Sequence, residues 1–226
     1  MIKYLVILLF VLFSCKQSQN LVSVLNIDNN KDGKNDQYML SLNDSNTSIF
    51  IGTDEDRDGV IEDHLWVNAK SKDIGGKGVD LLFNEIKGEK GIFSRLWYGP
   101  SNIKLIEKTD EDRDGFIETT AYFNKTALPK VITGHVARIE IDSNKDGKVE
   151  VWIFPSVRFE VDKNGDGIPD EYSTNHDDLG KLEYFLSMDK LKELKTSPLN
   201  PSQSYTLHPE IIQDERLKAI IPFTLK

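Results

Sequence analysis

Cysteine occurs once in 226 residues, at position 15. One thiol excludes an internal disulfide and any zinc or iron–sulfur cluster built from several cysteines. Long apolar runs are missing too. The run at residues 4–13 is too short to span a bilayer as a permanent helix. Basic charge is in the minority, with 28 Lys and Arg against 37 Asp and Glu and a net charge of −9. Such a chain repels nucleic acid and acidic lipid headgroups. Catalytic signatures are lacking: there is no G-x-S-x-G, H-E-x-x-H, P-loop or Cys–His arrangement. Gly75-Gly76-Lys77-Gly78 lacks the phosphate-loop spacing and the Ser or Thr that follows it. His64, His135, His176 and His208 are scattered and read as surface or strand residues. The expectation is a protein that is not an enzyme.

What is present begins with an address. Met1-Ile2-Lys3 puts one positive charge before the apolar run, the pattern of a secretory signal peptide. The run ends Leu12-Phe13-Ser14-Cys15, which resembles the bacterial lipobox. That resemblance implies a diacylglyceryl group on Cys15, palmitate-type acylation and attachment to a bacterial membrane, outer membrane or cell surface rather than inner. Acyl chains contribute about 0.8 kcal/mol per buried methylene, so a multiply acylated Cys15 anchors firmly. The expected division is a signal peptide at 1–14, lipidated Cys and tether at 15–21, a repeat domain at 22–187 and a C-terminal helical or irregular segment at 188–226.

The repeat is D-x-[DN]-x-D-G-x-x-[DE], and it occurs five times. The first loop has Asp28, Asn30, Asp32, Gly33 and Asp36. The second has Asp54, Asp56, Asp58, Gly59 and Glu62, and the third Asp110, Asp112, Asp114, Gly115 and Glu118. Asp142, Asn144, Asp146, Gly147 and Glu150 form the fourth; Asp162, Asn164, Asp166, Gly167 and Asp170 form the fifth. A calcium-sized cation takes six to eight oxygens at about 2.3–2.6 Å. Oxygens at positions one, three and five converge when the chain curls around it, and Gly at position six permits the sharp turn. The carbonyls at position seven, on Lys34, Val60, Phe116, Lys148 and Ile168, add another oxygen. The acid at position nine closes the shell, directly or through water. Magnesium demands a tighter octahedron and keeps its waters.

Charge is partitioned accordingly. Seventeen of the 37 acids stand at loop positions, and the rest of the chain is net basic. Without residues 1–14 the net charge is −10, which five divalent ions would cancel. Clustered carboxylates repel without a cation, so metal binding becomes part of the folding free energy. The second and third loops, with four acids each, are expected to bind more tightly than the three-acid loops.

Position twelve is Met39, Leu65, Ala121, Ile153 and Ser173, so the bidentate Glu of an EF-hand is missing. The flanks alternate as strands, for example Ala137-Arg-Ile-Glu-Ile141 and Val157-Arg-Phe-Glu-Val161. The nine-residue loop resembles thrombospondin type 3 repeats and the calcium hairpins of integrin α-chains. The whole array behind a lipobox resembles bacterial calcium-binding repeat lipoproteins of EF-hand-like type. The expected fold is mainly β: an antiparallel up-and-down meander of hairpins with calcium loops at the tips and short C-terminal helices. Neighbouring sites two strands on should lie about 10 Å apart.

Three further expectations concern the frame. The second and third loops start 56 residues apart, and a worn copy at residues 73–80 could fill the gap. Tyr38, Trp66, Tyr122, Trp152 and Tyr172 follow the loops and are expected to pack one sheet face rather than form a ligand platform. An open sheet needs cover, and residues 189–226 are the candidate, with helical patterns at 189–195 and 209–220. Function is expected to be that of a lipid-anchored module in which Ca²⁺ stabilises a surface for a protein partner. The alternative is a secreted hydrolase with structural calcium.

Overall fold

The computed structural model describes residues 22–43, 47–69, 79–124, 134–155, 157–175 and 188–207. The leader, Cys15, the tether, His176, His208 and the helical pattern at 209–220 lie outside these residues. No helix among the described residues is long and apolar enough to cross a membrane.

The chain forms one antiparallel sheet of 13 strands in sequence order. The strands are β1 (Val22–Ile27), β2 (Gln37–Leu42), β3 (Thr47–Thr53), β4 (Asp63–Ala69), β5 (Val79–Gly88), β6 (Gly91–Tyr98) and β7 (Lys104–Thr109). They continue with β8 (Thr119–Phe123), β9 (Val136–Ile141), β10 (Val151–Phe154), β11 (Arg158–Val161), β12 (Glu171–Ser173) and β13 (Ser197–Pro198). Among the described residues an α-helix, α1 (Met188–Glu193), precedes the last strand. The five acidic loops join β1 to β2, β3 to β4, β7 to β8, β9 to β10 and β11 to β12. Each runs from an odd strand to an even one, so the up-and-down order stands all five on the same edge.

The wide gap between the second and third loops has a different cause from the one expected. Its place on that edge is taken by the two-residue turn Glu89-Lys90 between β5 and β6. The worn copy is outside the described residues except for Val79 and Asp80. Ala69, which precedes it, and Val79 within it pair with each other at the edge opposite the acidic loops.

Side chains alternate between the two faces. One row of directly paired residues runs Tyr38, Gly52, His64, Glu85, Arg95, Lys108, Thr120, Glu140, Trp152, Glu160 and Tyr172 from β2 to β12. A second row on the same face sets Phe50, Trp66, Phe83, Trp97, Ile106 and Tyr122 side by side. Their rings meet at 5.0 Å (Phe50–Trp66), 5.3 Å (Trp66–Phe83) and 5.0 Å (Phe83–Trp97). Phe83 and Leu105 are fully buried at the centre of this cluster. Cross-strand aromatic pairs of this kind stabilise a sheet beyond their buried area. All five loop-flanking aromatics therefore lie on one sheet face, as part of its packing.

Both faces are covered at the C-terminal end. On one, Leu191 of α1 completes a core with Ile141, Val151, Phe159 and Val161. On the other, residues 201–206 strap across Glu160, a fully buried carboxylate. It accepts from Arg158 Nε at 2.9 Å, Ser204 Oγ at 2.5 Å and the Tyr205 amide at 2.9 Å. The Arg158 guanidinium stacks 3.8 Å from the Tyr205 ring centre and donates to the Gln203 carbonyl at 2.7 Å. The strap thus supplies two of the acid's donors and a roof for the base. Pro198 ends the sheet on a two-residue strand, which blunts that edge.

Removing one member of a buried ion pair leaves the other uncompensated. Arg158→Ala should lower unfolding stability by about 3–5 kcal/mol in denaturant titration and open residues 199–207 to proteolysis. A loss below about 1 kcal/mol with unchanged proteolysis would show that the strap is held otherwise.

Candidate metal centre

Each acidic loop is folded by its own carboxylates. Position-one Asp is the hub: Asp28, Asp54, Asp110, Asp142 and Asp162 each accept from the position-six Gly amide through Oδ2, at 2.9, 2.8, 2.8, 2.9 and 2.5 Å. Position five accepts from the amide of position seven, as in Val60 to Asp58 at 2.7 Å and Phe116 to Asp114 at 2.9 Å. Position nine reaches back to the amide of position two, as in Glu55 to Glu62 at 3.1 Å and Ser143 to Glu150 at 2.7 Å. In the second and third loops these bonds leave one carboxylate oxygen on each of positions three, five and nine free to face the others.

Two positions carry left-handed backbone. Position-six glycines have φ from +87° to +101°. Position four is left-handed as well, at Lys31, Arg57, Arg113 and Lys145 with φ of 59–67° and at Gly165 with φ of 81°. The D-G glycine announces the first of these. Only Gly165, in Asp162-Lys-Asn-Gly-Asp-Gly, hints at the second.

Three loops bring their acids to a focus. Ligand oxygens of Asp54, Asp56, Asp58 and Glu62 lie within 4.8 Å of one another, as do those of Asp110, Asp112, Asp114 and Glu118, and those of Asp142, Asp146 and Glu150. These groups are positioned to hold a metal ion. Among the described residues the first and fifth loops form no such group. The difference is one methylene: the three converging loops close with Glu at position nine, the other two with Asp. Asp36 stays on the Asn29 and Asn30 amides at 2.6 and 3.2 Å. Asp170 stays on the Lys163 amide at 3.1 Å and the Asn164 side-chain amide at 3.0 Å.

Neighbouring loops are stitched along the edge. The position-one amide of one loop donates to the position-nine carbonyl of the loop before it: Asp54 to Asp36 at 2.8 Å, Asp142 to Glu118 at 2.9 Å and Asp162 to Glu150 at 2.9 Å. The β5–β6 hairpin joins the same row, the Lys87 amide donating to the Glu62 carbonyl and the Asp110 amide to the Phe93 carbonyl, both at 2.9 Å. Lysines at position seven reach forward, Lys34 to the Asp58 carbonyl at 3.2 Å and Lys148 to the Gly165 carbonyl at 2.9 Å. Lys145, at position four of the fourth loop, reaches back into the third.

Electrostatics follow from these contacts. The Lys145 ammonium and the Phe116 amide hold Asp114 below the usual carboxylate range. Lys145 is in turn raised well above the ordinary lysine range by Asp112 and Asp114. Burial, helped by the charge of Asp142, pushes Glu150 up. His64 packs between the Phe50 and Trp66 rings at 5.7 and 6.1 Å, and burial pulls it down.

Comparison with family models, with curated proteins and with solved structures finds no match to this chain. The metal chemistry of the loops therefore rests on their own geometry.

The second and third loops carry the same ligands but stand in different places. A Cβ at Gly115 would lie 2.7 Å from the Lys90 carbonyl oxygen, whereas at Gly59 nothing lies closer than 3.9 Å. Both glycines have φ near +100°. Gly59→Ala should cost the strained conformation alone, about 1–2 kcal/mol. Gly115→Ala should cost about 1–3 kcal/mol more, because the clash is with backbone. Denaturant unfolding of the two variants in chelator checks this; equal losses would contradict it.

Proposed function

We propose that this protein is a calcium-binding β-repeat module, exported and anchored to a bacterial membrane by a lipid on Cys15. In this reading calcium stiffens the loop-bearing edge of the sheet, and the sheet displays a surface to a protein partner. The observation that carries it is the convergence of three acid groups, each within 4.8 Å, at equivalent places on one edge. The donors are all oxygens, which suits a hard cation, and magnesium is disfavoured because it demands a tight octahedron and keeps its waters. The second, third and fourth loops coordinate through Glu directly. The first and fifth, closing with Asp36 and Asp170, do so through water.

Buried carboxylates strengthen the case. Asp54, Asp110, Asp142, Asp162, Glu118 and Glu150 are all buried. Backbone amides compensate part of their charge, and a divalent cation would compensate the rest. Calcium then contributes to folding stability directly. The likeness to bacterial calcium-binding repeat lipoproteins and the apolar leader before Cys15 support export and anchoring.

Thermal unfolding of the full chain tests the metal. Calcium at about 100 times its Kd should add about 2.7 kcal/mol per site and raise Tm, magnesium should do much less, and excess chelator should reverse the gain. Sites of extracellular type fill at about 10⁻⁴–10⁻³ M. A melting curve that chelator and calcium both leave unchanged would remove this reading.

A further inference from the structure

We propose that Lys145 is a tethered counter-cation of the third loop, which an incoming calcium ion must displace, so that the third loop binds more weakly than the second although their ligands are identical. This rests on the calcium reading above and concerns how one of its sites is regulated. The second and third loops read Thr-Asp-Glu-Asp-Arg-Asp-Gly-x-Ile-Glu, differing only at Val60 and Phe116. Ligand chemistry alone gives them equal affinity.

Their surroundings differ. In the third loop the Lys145 ammonium lies 2.8 Å from Asp112 Oδ2 and 3.1 Å from Glu118 Oε1, and it is bonded to Asp114 Oδ2. The opposite oxygens of these acids are already committed. Asp112 Oδ1 accepts the Asp114 amide at 3.1 Å, Asp114 Oδ1 the Phe116 amide at 2.9 Å and Glu118 Oε2 the Glu111 amide at 3.0 Å. The ammonium therefore takes the three oxygens that the loop leaves for an ion. One of them, Glu118 Oε1, is buried and receives no hydrogen bond, so its partner is a charge.

The equivalent oxygens of the second loop have no such cation. Among the described residues no Lys or Arg nitrogen is bonded to a carboxylate oxygen of Asp56, Asp58 or Glu62; Lys34 reaches only the Asp58 backbone carbonyl, at 3.2 Å. The reason is topological. A position-four side chain looks back toward the preceding place on the edge, and Lys145 follows the third loop directly. The place after the second loop is held by the Glu89-Lys90 turn instead.

Lys145 and two of its three acids, Asp112 and Asp114, are partly exposed, so the ammonium is held by modest attractions and its competition should be worth about five- to tenfold in affinity. The test is a terbium titration of the full chain with an indole reporter at position seven, Val60→Trp for the second loop and Phe116→Trp for the third. Each is then combined with Lys145→Met. Lys148→Met removes the same charge from the same loop, but its ammonium sits on the Gly165 carbonyl, so it serves as the control. The third loop should half-saturate at about five- to tenfold higher terbium than the second, and Lys145→Met should close that gap while leaving the second loop unmoved. Competition with calcium should give the same order. Equal affinities in the parent chain, or Lys148→Met acting as strongly as Lys145→Met, would overturn the proposal and leave calcium binding intact. No sensitised emission from either loop would overturn both.

Discussion

Mutual repulsion of carboxylates within 4.8 Å of one another is the constraint that the rest of this structure answers. Three or four negative charges at that separation cost free energy, increasingly so where position one and position nine are buried. The backbone supplies the first compensation. Amides at positions two, five, six and seven point inward, which requires left-handed conformations at positions four and six. Lysine supplies the second where strand order permits, as Lys145 does. The remaining oxygens are positioned to hold a metal ion.

The sheet serves this arrangement by parity. Because every acidic loop joins an odd strand to the next even one, a meander brings all of them to one edge without any long-range connection. Amide-to-carbonyl bonds between successive loops then make that edge a continuous row in which the β5–β6 turn is a spacer. Beside the last two loops, the buried Arg158–Glu160 pair and the helix α1 close the two faces at the C-terminal end. The aromatic row from Phe50 to Trp97 packs the N-terminal half. Loop and frame are thus separate layers of the design, one polar and one apolar, joined at the ends of the strands.

Much of this is legible in the sequence. Alternation such as Ala137-Arg-Ile-Glu-Ile141 marks strands, the D-x-D-x-D-G spacing marks loops, and the short connections mark a meander. The aromatics after the loops read correctly as packing, because a period of two places them on the same face. Other features were written in the chain but not decoded. Glu against Asp at position nine separates the loops that converge from those that do not, and it is a difference of reach. The gap between the second and third loops suggested a degenerate copy at residues 73–80, whereas a tight hairpin holds that place. The reach of Lys145 was not legible at all, since nothing in its neighbours says that a position-four side chain looks back along the edge. The strap of residues 201–206 escaped for a similar reason: its contacts with Arg158 and Glu160 span more than 40 positions.

The most direct measurement is a crystal structure grown in millimolar calcium, with anomalous difference density used to locate ions. The account predicts calcium in the loops headed by Asp54, Asp110 and Asp142, each ion ringed by six to eight oxygens at about 2.3–2.6 Å. It also predicts that the Lys145 side chain turns away from the third loop. Loops without bound ions at saturating calcium, their carboxylates still held only by backbone amides and Lys145, would contradict it.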